Sequence, residues 1–99
     1  MKAKMNPPPI TVKFVNGQHE CDPTETEVAP GGTVAWTDAS TAEVRFPGRT
    51  PFVQGEGPFG PGSVSTVKSG EFFPDDREKF IPEVNEKPVN GVIIIDKGN

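Results

Sequence analysis

The sequence predicts an all-β chain, a Greek-key β-sandwich of about seven short strands. Three observations carry the prediction. Apolar and polar residues alternate in period two, as in Ile10-Thr-Val-Lys-Phe-Val15, where Ile10, Val12 and Phe14 share one face. Glycine and proline supply 11 and 12 of the 99 residues and fall between such runs without a period, which excludes collagen and marks turns. No segment carries a capped 3.6-residue period, and a single helical turn near Asp75–Lys79 is the most the pattern allows.

The first strand, Ile10–Val15, ends on Asn16-Gly17, a dipeptide suited to a tight hairpin turn. Gln18 to Thr26 is polar and reads as irregular, and Pro30-Gly31-Gly32 is the next turn. Thr33–Thr37 is a strand with Val34 and Trp36 inward, and Glu43–Phe46 is a short strand after a loop. Pro47 to Gly62 is the least regular stretch, with Phe52, Val53 and Phe59 among its glycines and prolines. Ser63–Val67 is a strand, and Glu71–Asp76 a loop holding Phe72 and Phe73. Arg77–Val84 is a strand broken at Pro82, because proline cannot donate to a ladder. Asn85–Asn90 is a turn. Gly91–Asp96 is apolar on both faces, as in a strand with neighbours on each side.

The length suits one domain, assigned to residues 10–99 behind a flexible Pro-rich arm at residues 1–9. A net charge of −4 without a basic stripe argues against nucleic acid. No apolar run is long enough for a membrane-spanning helix. Cys21 is the sole cysteine, so no intrachain disulfide forms. Localisation is periplasmic or secreted if a signal peptide has been removed, and cytoplasmic otherwise.

The stretch Thr26-Glu-Val-Ala-Pro-Gly-Gly-Thr-Val-Ala-Trp-Thr-Asp38 resembles the cupredoxin family, the plastocyanin and azurin type of domain, in which it forms a strand, a turn and an inward Val/Trp pair. Gly91–Ile95 is similar to that family's closing strand, so the resemblance spans roughly residues 10–96. It implies a copper site of two His, one Cys and a weak axial Met, carried after the Trp strand and before the closing strand. Here Thr37–Phe46 contains no His, and Pro82–Gly91 contains no Cys, His or Met. With one His and one Cys in the whole chain, a His₂Cys set cannot form within it. The expectation is a copper-free cupredoxin-like domain, not an enzyme, without a cofactor, serving as a binding or structural module.

Two features offer alternatives. His19-Glu-Cys21 places an imidazole and a thiol two apart, on one side of a strand, where they suit Cu⁺, Zn²⁺ or Ni²⁺. A dimer would bring two such pairs together as Cys₂His₂, and a solvated acidic loop is the plain alternative. The same two side chains as a nucleophile and base lack an orienting group and an oxyanion hole. The second feature is the long loop. Phe52 and Phe59 either form an apolar contact surface for a protein partner or fold back over a small core. Gly55-Glu-Gly-Pro-Phe-Gly60 matches a dinucleotide-binding pattern in letters only, since no helix follows to hold a phosphate.

Overall fold

A computed structural model describes residues 8–98. Eight strands follow in order: β1 (Pro9–Val15), β2 (Gln18–Val28), β3 (Thr33–Trp36), β4 (Val64–Thr66), β5 (Arg77–Phe80), β6 (Glu83–Val84), β7 (Lys87–Pro88) and β8 (Asn90–Asp96). The only helical element among the described residues is a 3-10 turn at Gly70–Phe72; the turn that the pattern allows near Asp75–Lys79 does not form, and β5 occupies Arg77–Phe80 instead. The expectation of an all-β chain holds. Among the described residues no helix is long and apolar enough to cross a membrane.

Asn16-Gly17 closes the β1–β2 hairpin as its chemistry predicts, with φ of 51° and 81°. The register runs from Thr11 opposite Asp22 to Val15 opposite Gln18. The other end of β1 lies parallel to β3, with Ile10 beside Trp36. Beyond an irregularity between Glu20 and Glu25, β2 runs parallel to β8. The result is a mixed six-stranded sheet, ordered β4-β3-β1-β2-β8-β5, and a small β6–β7 ribbon. Since β8 lies between β2 and β5, Ile93, Ile94 and Ile95 are all buried, as the unbroken apolar run requires.

Gln18–Thr26, expected to be irregular, belongs to the longest strand. Its charged side chains hide the alternation, and Pro23, which has no N–H, sits where the ladder slips. Glu43–Phe46 is not a strand: it makes single bridges only, Val44 to Phe59 and Arg45 to Glu83. Pro82 interrupts its strand as predicted, dividing it into β5 and β6. The arm boundary moves: the Pro8 carbonyl accepts a hydrogen bond from the Ala35 N–H and Pro9 opens β1, while residues 1–7 lie outside the described residues.

The long loop supplies the centre of the core. Phe52 is fully buried and Phe59 only 5% exposed, so the expected contact surface on these two side chains is corrected. The physical reason is backbone pairing. The Val53 N–H donates to the Thr66 carbonyl and the Lys68 N–H to the Pro51 carbonyl, laying the loop along β4 and turning Phe52 inward. Phe52 meets Phe46 and Phe59 edge-on at centroid distances of 5.1 and 5.4 Å, and Phe59 stacks on Trp36 at 6.3 Å. The buried Trp36 Nε1–H donates to Ser65 Oγ at 2.8 Å, so the indole enters the core with its donor satisfied.

Candidate functional site

The inner face of the β1–β2 hairpin passes from core to rim. Ile10 and Val12 are buried, whereas Phe14 is 60% exposed. Cys21 lies opposite Val12 and His19 opposite Phe14. His19 and Cys21 therefore share a face, as the two-residue spacing predicts, but one is at the rim and the other in the core.

Cys21 is 2% exposed and packs on the backbone of Gly91, where even a Cβ would lie 2.5 Å from the cysteine Cβ. Burial, and secondarily the charge of Glu20, push the thiol pKa up to about 11. A neutral, enclosed thiol is neither a metal ligand nor a nucleophile at neutral pH. The burial of Cys21 argues against the alternative of a metal pair on His19 and Cys21, within one chain or across a dimer, because the sulfur packs inside the core. Among the described residues, no three His, Cys, Asp or Glu side chains stand close enough to hold a metal ion.

His19 instead stands where two hollows join, its ring tilted against Phe14 at 4.9 Å. The larger hollow, about 850 Å³, lies between Thr41–Pro47 and the β6–β7 ribbon, with Glu43, Arg45, Glu83 and Glu86 in its walls. The smaller, about 480 Å³, lies between the tips of the two hairpins, with Phe14, Gln18, Lys87 and Pro88 around it. His19, Val84 and Asn85 line both, so the two form one elongated cleft.

Hydrogen bonds fix its walls. Thr41 donates twice to the Val12 carbonyl, from its N–H at 2.7 Å and its hydroxyl at 2.9 Å. The Ser40 hydroxyl accepts from the Val12 N–H. Arg45 and Glu83 exchange both backbone bonds, at 2.9 and 2.8 Å, tying the two sides of the larger hollow together. The β6–β7 turn is Asn85-Glu86, with φ of 53° and 67°, and the Val89 N–H closes the ribbon on the Pro82 carbonyl.

The larger hollow contains three carboxylates and one guanidinium, none of these four side chains forms an ion pair among the described residues, and the smaller hollow adds the Lys87 ammonium. The ion pairs lie elsewhere, at Lys13–Asp22, Arg49–Glu78 and Arg77 with Glu27 and Asp96. A second electrostatic cluster forms where Arg49 lies 4.7 Å over the Phe72 ring and Lys68 lies 3.9 Å from its centroid. Its cations are already occupied, with Arg49 also bound to Glu78, so it reads as a clamp between the long loop and the 3-10 turn.

Sequence reasoning singles out His19 but misses Phe14, Glu43, Arg45, Glu83 and Asn85. One signal is present. Phe14 is the last inward residue before the Asn16-Gly17 turn, and a strand's final inward position commonly overruns a small core. Comparison with protein-family models, with curated proteins and with solved structures finds no match to this chain.

Proposed function

We propose that the chain is a cupredoxin-like β-sandwich without a type 1 copper site, that it works as a binding module, and that its ligand site is the cleft at His19, Val84 and Asn85. One observation carries the reading. The two segments in which the resemblance implies copper ligands, Thr37–Phe46 and Pro82–Gly91, converge on a single cleft. They bring Thr41, Glu43, Arg45, Glu83 and Asn85 to it in place of copper ligands. The inward Val34 and Trp36 and the buried closing strand favour the sandwich. A concave surface with preset walls and a few polar groups is the usual form of a binding site.

The test is an amide-resolved NMR screen of ¹⁵N-labelled protein against a library of small polar and apolar fragments. Perturbations are expected to cluster on His19, Val84 and Asn85. Responses confined to another surface, such as the exposed Val53 and Val64, refute the site. Addition of Cu⁺ or Cu²⁺ is expected to produce no thiolate-to-copper charge-transfer absorption, and its appearance refutes the copper-free reading.

A further inference from the structure

We infer that the occupant of this cleft is an extended, cationic segment of a partner protein, with Lys or Arg side chains over Glu43, Glu83 and Glu86 and an apolar side chain against Phe14. The inference rests on the cleft being the ligand site and adds the chemistry of the ligand.

Charge complementarity selects the class. In the larger hollow three carboxylates face one guanidinium, and no ion pair among the described residues neutralises any of them. A concave surface with more carboxylates than cations raises the local concentration of positive charge, and here Glu43, Glu83 and Glu86 outnumber Arg45. An anionic ligand meets net repulsion. An apolar small molecule filling the hollow would strip water from carboxylates without replacing their hydrogen bonds. A second copy of the chain carries a net charge of −4 and is opposed on the same ground.

Shape selects an extended segment. Two hollows joined at His19, Val84 and Asn85 make an elongated cleft, acidic at one end, with Phe14, Val84 and Pro88 as the apolar surface at the other, where Lys87 is the single cation and keeps a second positive charge of the ligand away. Alternate side chains of an extended peptide point the same way and fit such a division, one charged and one apolar. The doubly bonded Arg45–Glu83 bridge and the Thr41 contacts hold the walls in place before binding, which limits the ordering cost.

The experiment titrates ¹⁵N-labelled protein with three capped peptides, Lys-Phe-Ala-Lys-Phe-Ala and its versions with glutamine or glutamate in place of lysine. The lysine peptide is expected to shift the amides of His19, Glu83, Asn85 and Glu86 and to bind about tenfold more tightly than the glutamine peptide, since exposed pairs contribute up to about fivefold each. The glutamate peptide is expected to leave the cleft unchanged. Glu43→Gln, Glu83→Gln and Glu86→Gln combined should erase the lysine preference while the amide spectrum stays folded. Raising salt from about 20 to about 300 mM should weaken the lysine peptide alone. Equal binding of the lysine and glutamine peptides at the cleft overturns the cationic class and leaves the cleft as the site. No response of the cleft to any of the three overturns the peptide ligand, and lysine-peptide binding unchanged by Phe14→Ser overturns the apolar contact; the cleft itself falls only if the fragment screen also leaves His19, Val84 and Asn85 unperturbed.

Discussion

Among the glycines described, Gly91 leaves the least room for a side chain. A Cβ there would lie 2.5 Å from Cys21 Cβ, 2.6 Å from Cys21 Sγ and 3.4 Å from the Cys21 backbone nitrogen. Those separations are far inside van der Waals contact, and Cys21 belongs to the core with little room to move. Gly91→Ala therefore forces β2 and β8 apart locally. Overpacking of this kind costs about 1–3 kcal/mol. The backbone entropy that alanine removes from the unfolded chain returns about 0.4–1 kcal/mol. The net loss is about 1–2 kcal/mol, or a fall in Tm of roughly 5–15 °C for a domain of this size. Urea unfolding followed by Trp36 fluorescence measures it. The decisive control is the background. Cys21→Ala keeps the offending Cβ and should not rescue Gly91→Ala. Cys21→Gly removes it, and in that background Gly91→Ala should cost nothing or stabilise slightly. If Gly91→Ala cost the same with Cys21 intact as it does on top of Cys21→Gly, the steric reasoning would be refuted, because the loss would then not come from this contact.

Three further outcomes can be checked. Ser65→Ala leaves the buried Trp36 indole N–H without its acceptor and should lower stability by about 1–3 kcal/mol in urea unfolding; a change below about 0.5 kcal/mol would mean that another group takes the proton. Cys21 has a folded pKa raised to about 11, so the unfolded chain releases the thiol proton first. Its stabilising contribution is whole below the ordinary thiol value near ~8.5 and declines as pH rises toward the folded value, by up to about 1.4 kcal/mol per unit. Cys21→Ser should flatten that alkaline slope in denaturation between about pH 8.5 and about pH 11, and an unchanged slope counts against burial as its cause. The Arg49 hydrogen bond, followed by the Asp75 N–H and the Arg49 charge, holds the Glu78 carboxyl below its usual range against the opposing effect of desolvation. Its contribution is present above the unfolded carboxylate value near ~4.3 and lost as pH falls through the lower folded one; an NMR titration should show Glu78 rising toward that ordinary value in Arg49→Ala, and no movement would deny Arg49 its role.

How much is legible in the sequence depends on whether side chains or backbone do the specifying. The Asn16-Gly17 hairpin, the inward Val34 and Trp36, the break at Pro82 and the buried run at Ile93–Ile95 all follow from alternation, turn chemistry and missing donors. The first half of β2 is illegible because ladder hydrogen bonds do not depend on side chains, and Glu20, Asp22 and Glu25 mask the face that Cys21 and Thr26 bury. The roles of Phe52 and Phe59 are illegible for a different reason. Composition shows that a loop holds aromatic residues, but the direction they face is set by backbone pairing, of the neighbours of Phe52 with Thr66 and Lys68 and of Phe59 with Val44. The cleft cannot be read at all, since it exists only where three separated segments meet.

The His19–Cys21 pair shows why a local pattern must be placed before it is assigned chemistry. Period two is correct: both side chains leave the strand on the same side. A face shared along a strand is not an environment shared along it. Over two residues the environment changes from a core packed against Gly91 to a rim beside the exposed Phe14. The same descent that removes Cys21 from solution places His19 in both hollows of the cleft. The imidazole therefore lacks the thiol that would make it half of a soft-metal pair, and its neighbours are Val84, Asn85 and the carboxylates of a separate hairpin and loop. Those neighbours suit recognition of a cationic segment, with Phe14 supplying the apolar contact at the cleft's other end.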